Sequence, residues 1–118
     1  MAEKATEVQI FGTAKCSDTR KAQRFFKERR VRIHFVDLKE RSASPGELNR
    51  FQQKFGIEAL LDRKARAFRD RGLHSAHLSE TRILELLVED PLLLRTPLVR
   101  AGKRLAIGLA EEEWRNWI

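Results

Sequence analysis

The fold of this chain is decided by residues 8–22, which read VQIFGTAKCSDTRKA. The first four of them are mostly apolar, which is typical of a short strand, and Gly12 ends that strand at the start of a loop. Ser17 or Asp18 then offers an N-cap for a helix over about 18–30, because a short polar side chain there accepts a backbone N–H of the first turn. The stretch therefore predicts a strand, a short loop and a helix in direct succession.

A second strand follows this helix. Residues 31–38 read VRIHFVDL and alternate apolar with polar side chains, which is typical of a strand. Phe25 and Phe26 fall at helical spacing on the preceding helix and are expected to face the core. A strand, a helix and a strand with short connections require a crossover, which makes the two strands parallel.

The middle of the chain carries a clear helix start. Ser44 and Glu47 have the spacing of a capping box, and Pro45 stands at the first helical position. The predicted helix runs to Phe55 and ends at Gly56, since glycine accepts the backbone conformation that follows a helix.

The closing part of the chain predicts further helices and a hairpin. In order, these elements are a short helix or turn over 58–68 that passes into a basic helix, a helix capped by Ser79 that runs to Glu89, strands over 98–99 and 105–109 joined by a hairpin turn over 101–104, and a helix over 111–117. The sequence thus predicts an α/β fold. Its mixed sheet has about four strands with flanking helices, and a helical insertion separates the β-α-β half from the closing β-β-α half.

The composition is that of one globular domain. The chain has 118 residues, of which 42% are hydrophobic and 35% charged, and we expect a single domain over residues 1–118. One cysteine excludes an intramolecular disulfide scaffold. No apolar run approaches the ~20 residues of a membrane span, and the opening MAEKATEVQIFG has no hydrophobic region of a signal peptide. We therefore expect a cytoplasmic protein with no membrane partner.

The net charge is +7, and the basic residues cluster in two runs. Residues 20–32 hold seven cations against Glu28 alone, and residues 63–71 hold five more. Such a surface attracts an anionic ligand or partner, such as glutathione, an acidic protein surface or nucleic acid. The alternative is a solvated arginine-rich face, which we favour because Arg outnumbers Lys 16 to 8. No nucleic-acid-binding motif accompanies the charge, so we expect no direct nucleic-acid binding.

A metal site is not expected. The three histidines, His34, His74 and His77, lie far apart in sequence, and Cys16 is isolated from them, whereas zinc needs clustered ligands. We expect no metal and no bound cofactor.

Cys16 is the residue whose position argues for chemistry. It lies between a strand with its loop and the N-terminus of a helix, where free backbone N–H groups and the helix dipole favour the thiolate over the thiol. Lys15 and Arg20 add positive charge nearby, and these conditions lower a thiol pKa. The alternative is a buried structural cysteine, since free cysteines are among the most buried residues.

Three segments carry a resemblance to a known family. They are FGTAKCSDTRKA at residues 11–22, LDRK at residues 61–64 with Phe68 behind it, and LLRTPLVRAGKRLAIGL at residues 93–109. Together they resemble the signatures of the thioredoxin-fold family that contains the glutaredoxin-coupled arsenate reductase ArsC and the regulator Spx. The resemblance spans about residue 7 to 118 and implies a thioredoxin-like fold with its helical insertion at about 44–92.

The resemblance also implies roles for individual residues. Cys16 becomes the redox or nucleophilic cysteine. Pro97 becomes the cis-proline that faces it and leaves the backbone of Thr96 open to a bound thiol. The implied set for binding a substrate or thiol is Thr13, Arg63, Arg95, Thr96 and Pro97.

The cysteine motif departs from the family pattern. Members with two cysteines carry Cys-x-x-Cys, whereas Thr19 stands at the second position here. An intramolecular redox switch therefore lacks its resolving thiol. The Thr19 hydroxyl is instead a candidate hydrogen-bond donor to the thiolate.

The arginines are a second departure. In arsenate reductases a trio of arginines holds the oxyanion, and the matching positions here read Asp62, Thr96 and roughly Ile107 or Gly108. Two arginines are each one residue out of register, namely Arg63 and Arg95. A shift of one residue turns a side chain by about 100° on a helix and to the opposite face on a strand. This pattern speaks against arsenate reduction.

Three functions remain for this sequence. We favour a thiol oxidoreductase with one cysteine, in which the Cys16 thiolate forms a mixed disulfide and glutathione or a glutaredoxin-like thiol donor resolves it. The second is an Spx-like regulator that binds RNA polymerase without redox turnover. The third is an arsenate reductase proper.

Overall fold

The computed structural model describes residues 4–118. Their strands and helices are, in chain order, β1 (Glu7–Gly12), α1 (Ser17–Glu28), β2 (Arg32–Asp37), α2 (Pro45–Phe55), α3 (Arg66–Asp70), α4 (Glu80–Glu89), β3 (Leu98–Ala101), β4 (Arg104–Ile107) and α5 (Glu111–Arg115). Short 3₁₀ turns lie at Ile57–Leu60, Leu73–Ser75 and Pro91–Leu93. The described residues separate into two compact units, residues 4–41 with Thr96–Ile118, and Ser42–Arg95. A single domain over the whole chain stays a prediction.

The first unit is built on a mixed sheet with the strand order β2-β1-β3-β4. β1 and β2 are parallel, with Ile10 opposite Phe35, and α1 forms the crossover between them. β3 pairs antiparallel with both β1 and β4, and the β3–β4 turn passes through Gly102 at φ 63°. The predicted α/β fold with a four-stranded mixed sheet is confirmed.

The core of this unit is aromatic. Phe25 and Phe26 of α1 are buried, as their spacing predicts, and both rings lie 5.3 Å from the ring of Trp114 in α5. Trp117 stacks on Phe26 from the following turn, with the ring centroids 6.4 Å apart. Burial of each such side chain contributes roughly 1.5–3 kcal/mol, so these rings hold α1, and the residues at its N-terminus, against the sheet.

The second unit is helical and begins with the predicted capping box. The Ser44 hydroxyl accepts the Glu47 N–H at 3.1 Å, and the Ser44 N–H donates to the Glu47 carboxylate at 2.9 Å. α2 runs to Phe55, and Gly56 caps its end, as predicted. The chain leaves the unit beside its first 3₁₀ turn, where Leu94 forms an isolated bridge with Leu61.

Several predicted elements end one or two residues earlier than expected, and for two of them the backbone shows why. The first helix was predicted to about residue 30 but ends at Glu28, because Arg30 adopts a left-handed φ of 58°. The last strand was predicted to 109 but ends at Ile107, because Gly108 turns at φ 76° and donates its N–H to the Pro97 carbonyl. Among residues 4–118, no helix has both the length and the apolar character needed to cross a bilayer.

Candidate functional site

A tight turn carries the chain from the sheet to Cys16. β1 ends at Gly12, and the Cys16 N–H donates to the Thr13 carbonyl at 3.1 Å. Thr13, one of the residues implied for thiol binding, is buried beneath this turn. The turn places Cys16 directly at the start of α1.

Cys16 itself is the N-cap of α1, so the prediction of Ser17 or Asp18 at this position is wrong by one or two residues. Its backbone is extended at φ −77° and ψ 116°, and its carbonyl accepts the Arg20 N–H at 3.1 Å. No side chain caps this end of α1 in the described part of the chain. The first-turn N–H groups therefore lie open beside the sulfur, where a negative charge is favoured.

The loop before β3 contacts the sulfur from the other side. The Thr96 hydroxyl donates to Cys16 Sγ at 3.2 Å, and Sγ lies 3.8 Å from the Thr96 carbonyl oxygen. The Thr96–Pro97 bond is cis, as the resemblance implies. Cys16 is partly exposed rather than sealed in the core.

The pKa of the Cys16 thiol lies below its ordinary value. Burial raises this pKa, but the hydroxyls of Thr19 and Thr96 and the backbone N–H groups of Thr19 and Asp18 lower it, and the lowering prevails. Hydrogen-bond donors and helix-terminal amides stabilise the thiolate more than the thiol. The site thus favours the nucleophilic form of the sulfur.

Thr19 lies beneath the sulfur in a closely packed position. It is fully buried, and its Oγ1 forms no complete hydrogen bond with any residue in 4–118. Its hydroxyl is close enough to Cys16 Sγ to lower the pKa of that thiol. A Cβ added at Gly12 would come within 2.5 Å of Thr19 Cγ2, so Gly12 gives α1 the room to approach β1. Sequence reasoning missed this role of Gly12, although a glycine at the end of a strand is the signal for close backbone approach.

The two cations beside Cys16 are exposed. Arg20 donates to the Ala14 carbonyl at 2.6 Å and so braces the loop before Cys16. Neither Arg20 nor Lys15 is among the groups that lower the Cys16 pKa. Their predicted part in stabilising the thiolate stays a prediction.

Arg63 and Arg95 belong to the second unit. Arg63 is exposed and binds both oxygens of Glu58, at 2.7 and 3.1 Å, with its guanidinium 5.5 Å from the Phe68 ring centroid. This partner raises the pKa of Arg63 and lowers that of Glu58. Arg95 is exposed, and its backbone N–H donates to the Leu60 carbonyl at 2.8 Å. Substrate binding by either arginine stays a prediction.

The chemistry that this geometry supports is thiolate chemistry. Within residues 4–118, no group of three His, Cys, Asp or Glu side chains is placed to hold a metal ion. The sulfur has an activating helix N-terminus, a hydroxyl donor and an open side. Such a thiolate attacks electrophilic sulfur or another soft electrophile.

Comparisons with known proteins find one matching family model and several similar transcriptional regulators. Residues 11–117 match the sequence model of the ArsC family. The chain is 30% identical to the global transcriptional regulator Spx 2 of Oceanobacillus iheyensis, over 94% of this chain and 83% of that protein. It is 27% identical to Spx 2 of Bacillus anthracis, over 94% of this chain and 86% of that protein.

The solved structures agree on the fold. An arsenate reductase from Vibrio cholerae superposes with a TM-score of 0.82 at 23% identity, covering 98% of this chain and all of that one. A putative ArsC family related protein from Bacteroides fragilis gives 0.81 at 17% identity, covering 95% and 99% of the two chains. At these identities the likeness concerns the fold.

Proposed function

The chain belongs to the ArsC family, and on that premise we propose that it is a thiol oxidoreductase that works with one cysteine. Cys16 is its nucleophile, and glutathione or a glutaredoxin-like thiol donor is its co-substrate. It needs no bound cofactor. The reaction requires a pool of reduced thiols, which places it in the cytoplasm.

The proposed reaction has two exchange steps. The Cys16 thiolate attacks one sulfur of a substrate disulfide, a new S–S bond forms to Cys16, and the other substrate sulfur leaves as a thiolate. The thiolate of glutathione then attacks the substrate sulfur of this mixed disulfide. That step expels the Cys16 thiolate and leaves a disulfide between glutathione and substrate. Each exchange breaks one S–S bond and forms another, so the two steps need no further oxidant or reductant.

One observation carries the proposal. The Cys16 sulfur is partly exposed at an uncapped helix N-terminus and accepts the Thr96 hydroxyl at 3.2 Å, with its pKa lowered. A structural cysteine needs none of these features. The absence of a resolving cysteine in the sequence means that an external thiol must complete the cycle.

The test is turnover with a defined substrate. A glutathionylated peptide is supplied with reduced glutathione, and the release of the free peptide thiol is followed by mass spectrometry. We expect turnover by the wild type, a trapped Cys16–glutathione adduct when reduced glutathione is withheld, and neither with Cys16→Ser. The matched control is Ser17→Ala, which alters the next residue but leaves the sulfur. A wild-type rate equal to that of Cys16→Ser would overturn the proposal.

The second candidate is an Spx-like regulator, and the similarity to the two Spx 2 proteins favours it. Under this reading the chain binds RNA polymerase without redox turnover. Binding to purified polymerase is measured for the wild type and for Cys16→Ser. Equal binding by both, together with no turnover in the assay above, would replace the oxidoreductase by the regulator.

The same assay also tests arsenate reduction, the third candidate function. Thr96 and Asp62 stand at positions that match arginines of arsenate reductases, and Arg63 is paired with Glu58. Arsenate in place of the peptide should therefore give no glutathione oxidation beyond that of Cys16→Ala. A Cys16-dependent reaction with arsenate would reverse this ranking.

A further inference from the structure

The C-terminal end of α1 has an unusual backbone for its sequence. After the helix ends, the Val31 N–H donates to the Phe26 carbonyl at 3.0 Å and the Arg30 N–H to the Lys27 carbonyl at 3.1 Å. These two bonds form a Schellman motif, whose left-handed position is usually occupied by glycine. Here that position is Arg30, at φ 58°.

An arginine at this position is locally unfavourable. A residue with a Cβ is sterically disfavoured in the left-handed region, whereas glycine is not. An outlier of this kind is a reason to ask whether the side chain has a function beyond the turn. The question is therefore what the Arg30 guanidinium is positioned to bind.

Arg30 lines an open concavity of about 560 Å³. We call it the α1-end pocket and define it by three cations on its lining, Lys27, Arg30 and Arg32. Glu7 also lies on its lining. All three cations are exposed at the surface.

The cations of the α1-end pocket have no ion-pair partner in the described part of the chain. By contrast, several cations of the Ser42–Arg95 unit are paired, as in Arg63–Glu58, Arg66–Asp70, Arg71–Glu89 and Arg82–Glu85. The helix dipole accounts for cations at the end of α1, and Arg32 stands opposite Glu7 in the register of β1 with β2. Neither fact explains why an arginine adopts a conformation that glycine usually adopts.

We propose that the α1-end pocket is a docking site for an acidic segment of a partner protein. Arginine forks match carboxylates in a bidentate geometry, so the two arginines and Lys27 suit a segment that carries several acidic side chains. Nucleic acid fits less well, because no aromatic side chain lines the pocket for base stacking. The proposal does not involve the Cys16 sulfur.

The test uses a fluorescein-labelled peptide of alternating glutamate and leucine, whose binding is followed by fluorescence anisotropy at ~0.15 M salt. The pocket variant is Lys27→Gln with Arg30→Gly and Arg32→Gln. The matched control, Arg50→Gln with Lys64→Gln and Arg69→Gln, removes the same charge from the other unit. We expect the pocket variant to bind about tenfold more weakly than wild type, while the control changes Kd by less than about twofold.

The single variant Arg30→Gly separates binding from folding. Glycine suits the left-handed φ, so we expect a higher Tm together with weaker peptide binding. Cys16→Ser should bind the peptide as the wild type does, which separates this proposal from the oxidoreductase.

Four results would overturn the proposal. They are no binding to the wild type, equal losses in the pocket and control variants, unchanged binding by Arg30→Gly, and tighter pocket-dependent binding of a DNA duplex than of the peptide. The last result would assign the pocket to nucleic acid instead.

Discussion

Thr96→Val tests the candidate site most directly. Valine has nearly the shape of threonine but lacks the hydroxyl that donates to Cys16 Sγ at 3.2 Å. A hydrogen bond to a charged group contributes about 1.5–3 kcal/mol, and partial exposure of both side chains places this one at the lower end. About 1.4 kcal/mol is a factor of ten. The pKa of Cys16 should rise, and the acid dissociation constant of its thiol should fall about tenfold.

The assay is the rate of alkylation by iodoacetamide as a function of pH, together with the ultraviolet absorbance of the thiolate. A thiolate of higher pKa is the stronger nucleophile. We therefore expect Thr96→Val to react more slowly than wild type below the pKa of the wild-type thiol and faster at strongly alkaline pH, so that the two profiles cross. Thr96→Ser keeps a hydroxyl and is the matched control, with a profile close to that of the wild type.

The reasoning is refuted if both Thr96→Val and Thr96→Ser give the wild-type profile. That result would mean that Thr19 and the helix N-terminus lower the pKa of Cys16 without Thr96. A shift in both variants would instead indicate that threonine acts through its packing against the sulfur.

Three further predictions concern stability and are checked by urea unfolding. The pKa of Cys16 is lowered in the folded state, so the thiolate stabilises the fold. The wild type should therefore gain stability over Cys16→Ala above the ordinary thiol pKa, and lose this gain as the pH falls through the native pKa. A difference in stability that does not change with pH would contradict this prediction. Gly12→Ala should lower the free energy of unfolding by about 1–3 kcal/mol, since the added Cβ overlaps Thr19. In a double-mutant cycle, Thr19→Ala should recover part of this loss. Additive effects of the two substitutions would mean that the contact is not the cause. Ser44→Ala should lower the free energy of unfolding by about 1 kcal/mol, because it removes the hydroxyl that accepts the Glu47 N–H. Ser44→Thr keeps a hydroxyl and should retain most of the wild-type stability.

Much of the fold follows from local patterns in the sequence. The alternation over 31–38 predicts β2, and the capping box at Ser44 predicts the start of α2 to the residue. The family resemblance of segments 11–22 and 93–109 is confirmed by the match to the ArsC family. These signals succeed because hydrophobic period, caps and turn residues act within a few residues of each other.

The candidate site was harder to predict because it depends on distances between segments. Ser17 and Asp18 are better N-cap residues than cysteine by preference, yet the turn from Thr13 places Cys16 at the cap. The hydrogen bond from Thr96 joins residues 80 apart in the chain. No local pattern contains that contact, and only the resemblance pointed to the loop that makes it.

The lack of a resolving thiol is the feature that makes an external thiol necessary, and Thr19→Cys tests this dependence. Thr19 lies one turn along α1 from Cys16, and its hydroxyl is close enough to lower the pKa of that sulfur. A thiol of similar size at this position should reach Cys16 Sγ. After treatment with oxidised glutathione, we expect the wild type to retain one glutathione, as shown by its mass. The Thr19→Cys variant should expel glutathione and form an internal disulfide, leaving no titratable thiol. Arg24→Cys, on the exposed side of the same helix, adds a thiol out of reach and should retain glutathione. If Thr19→Cys also retains it, the two positions are not in the geometry of a redox pair, and the missing second cysteine does not explain the need for an external thiol.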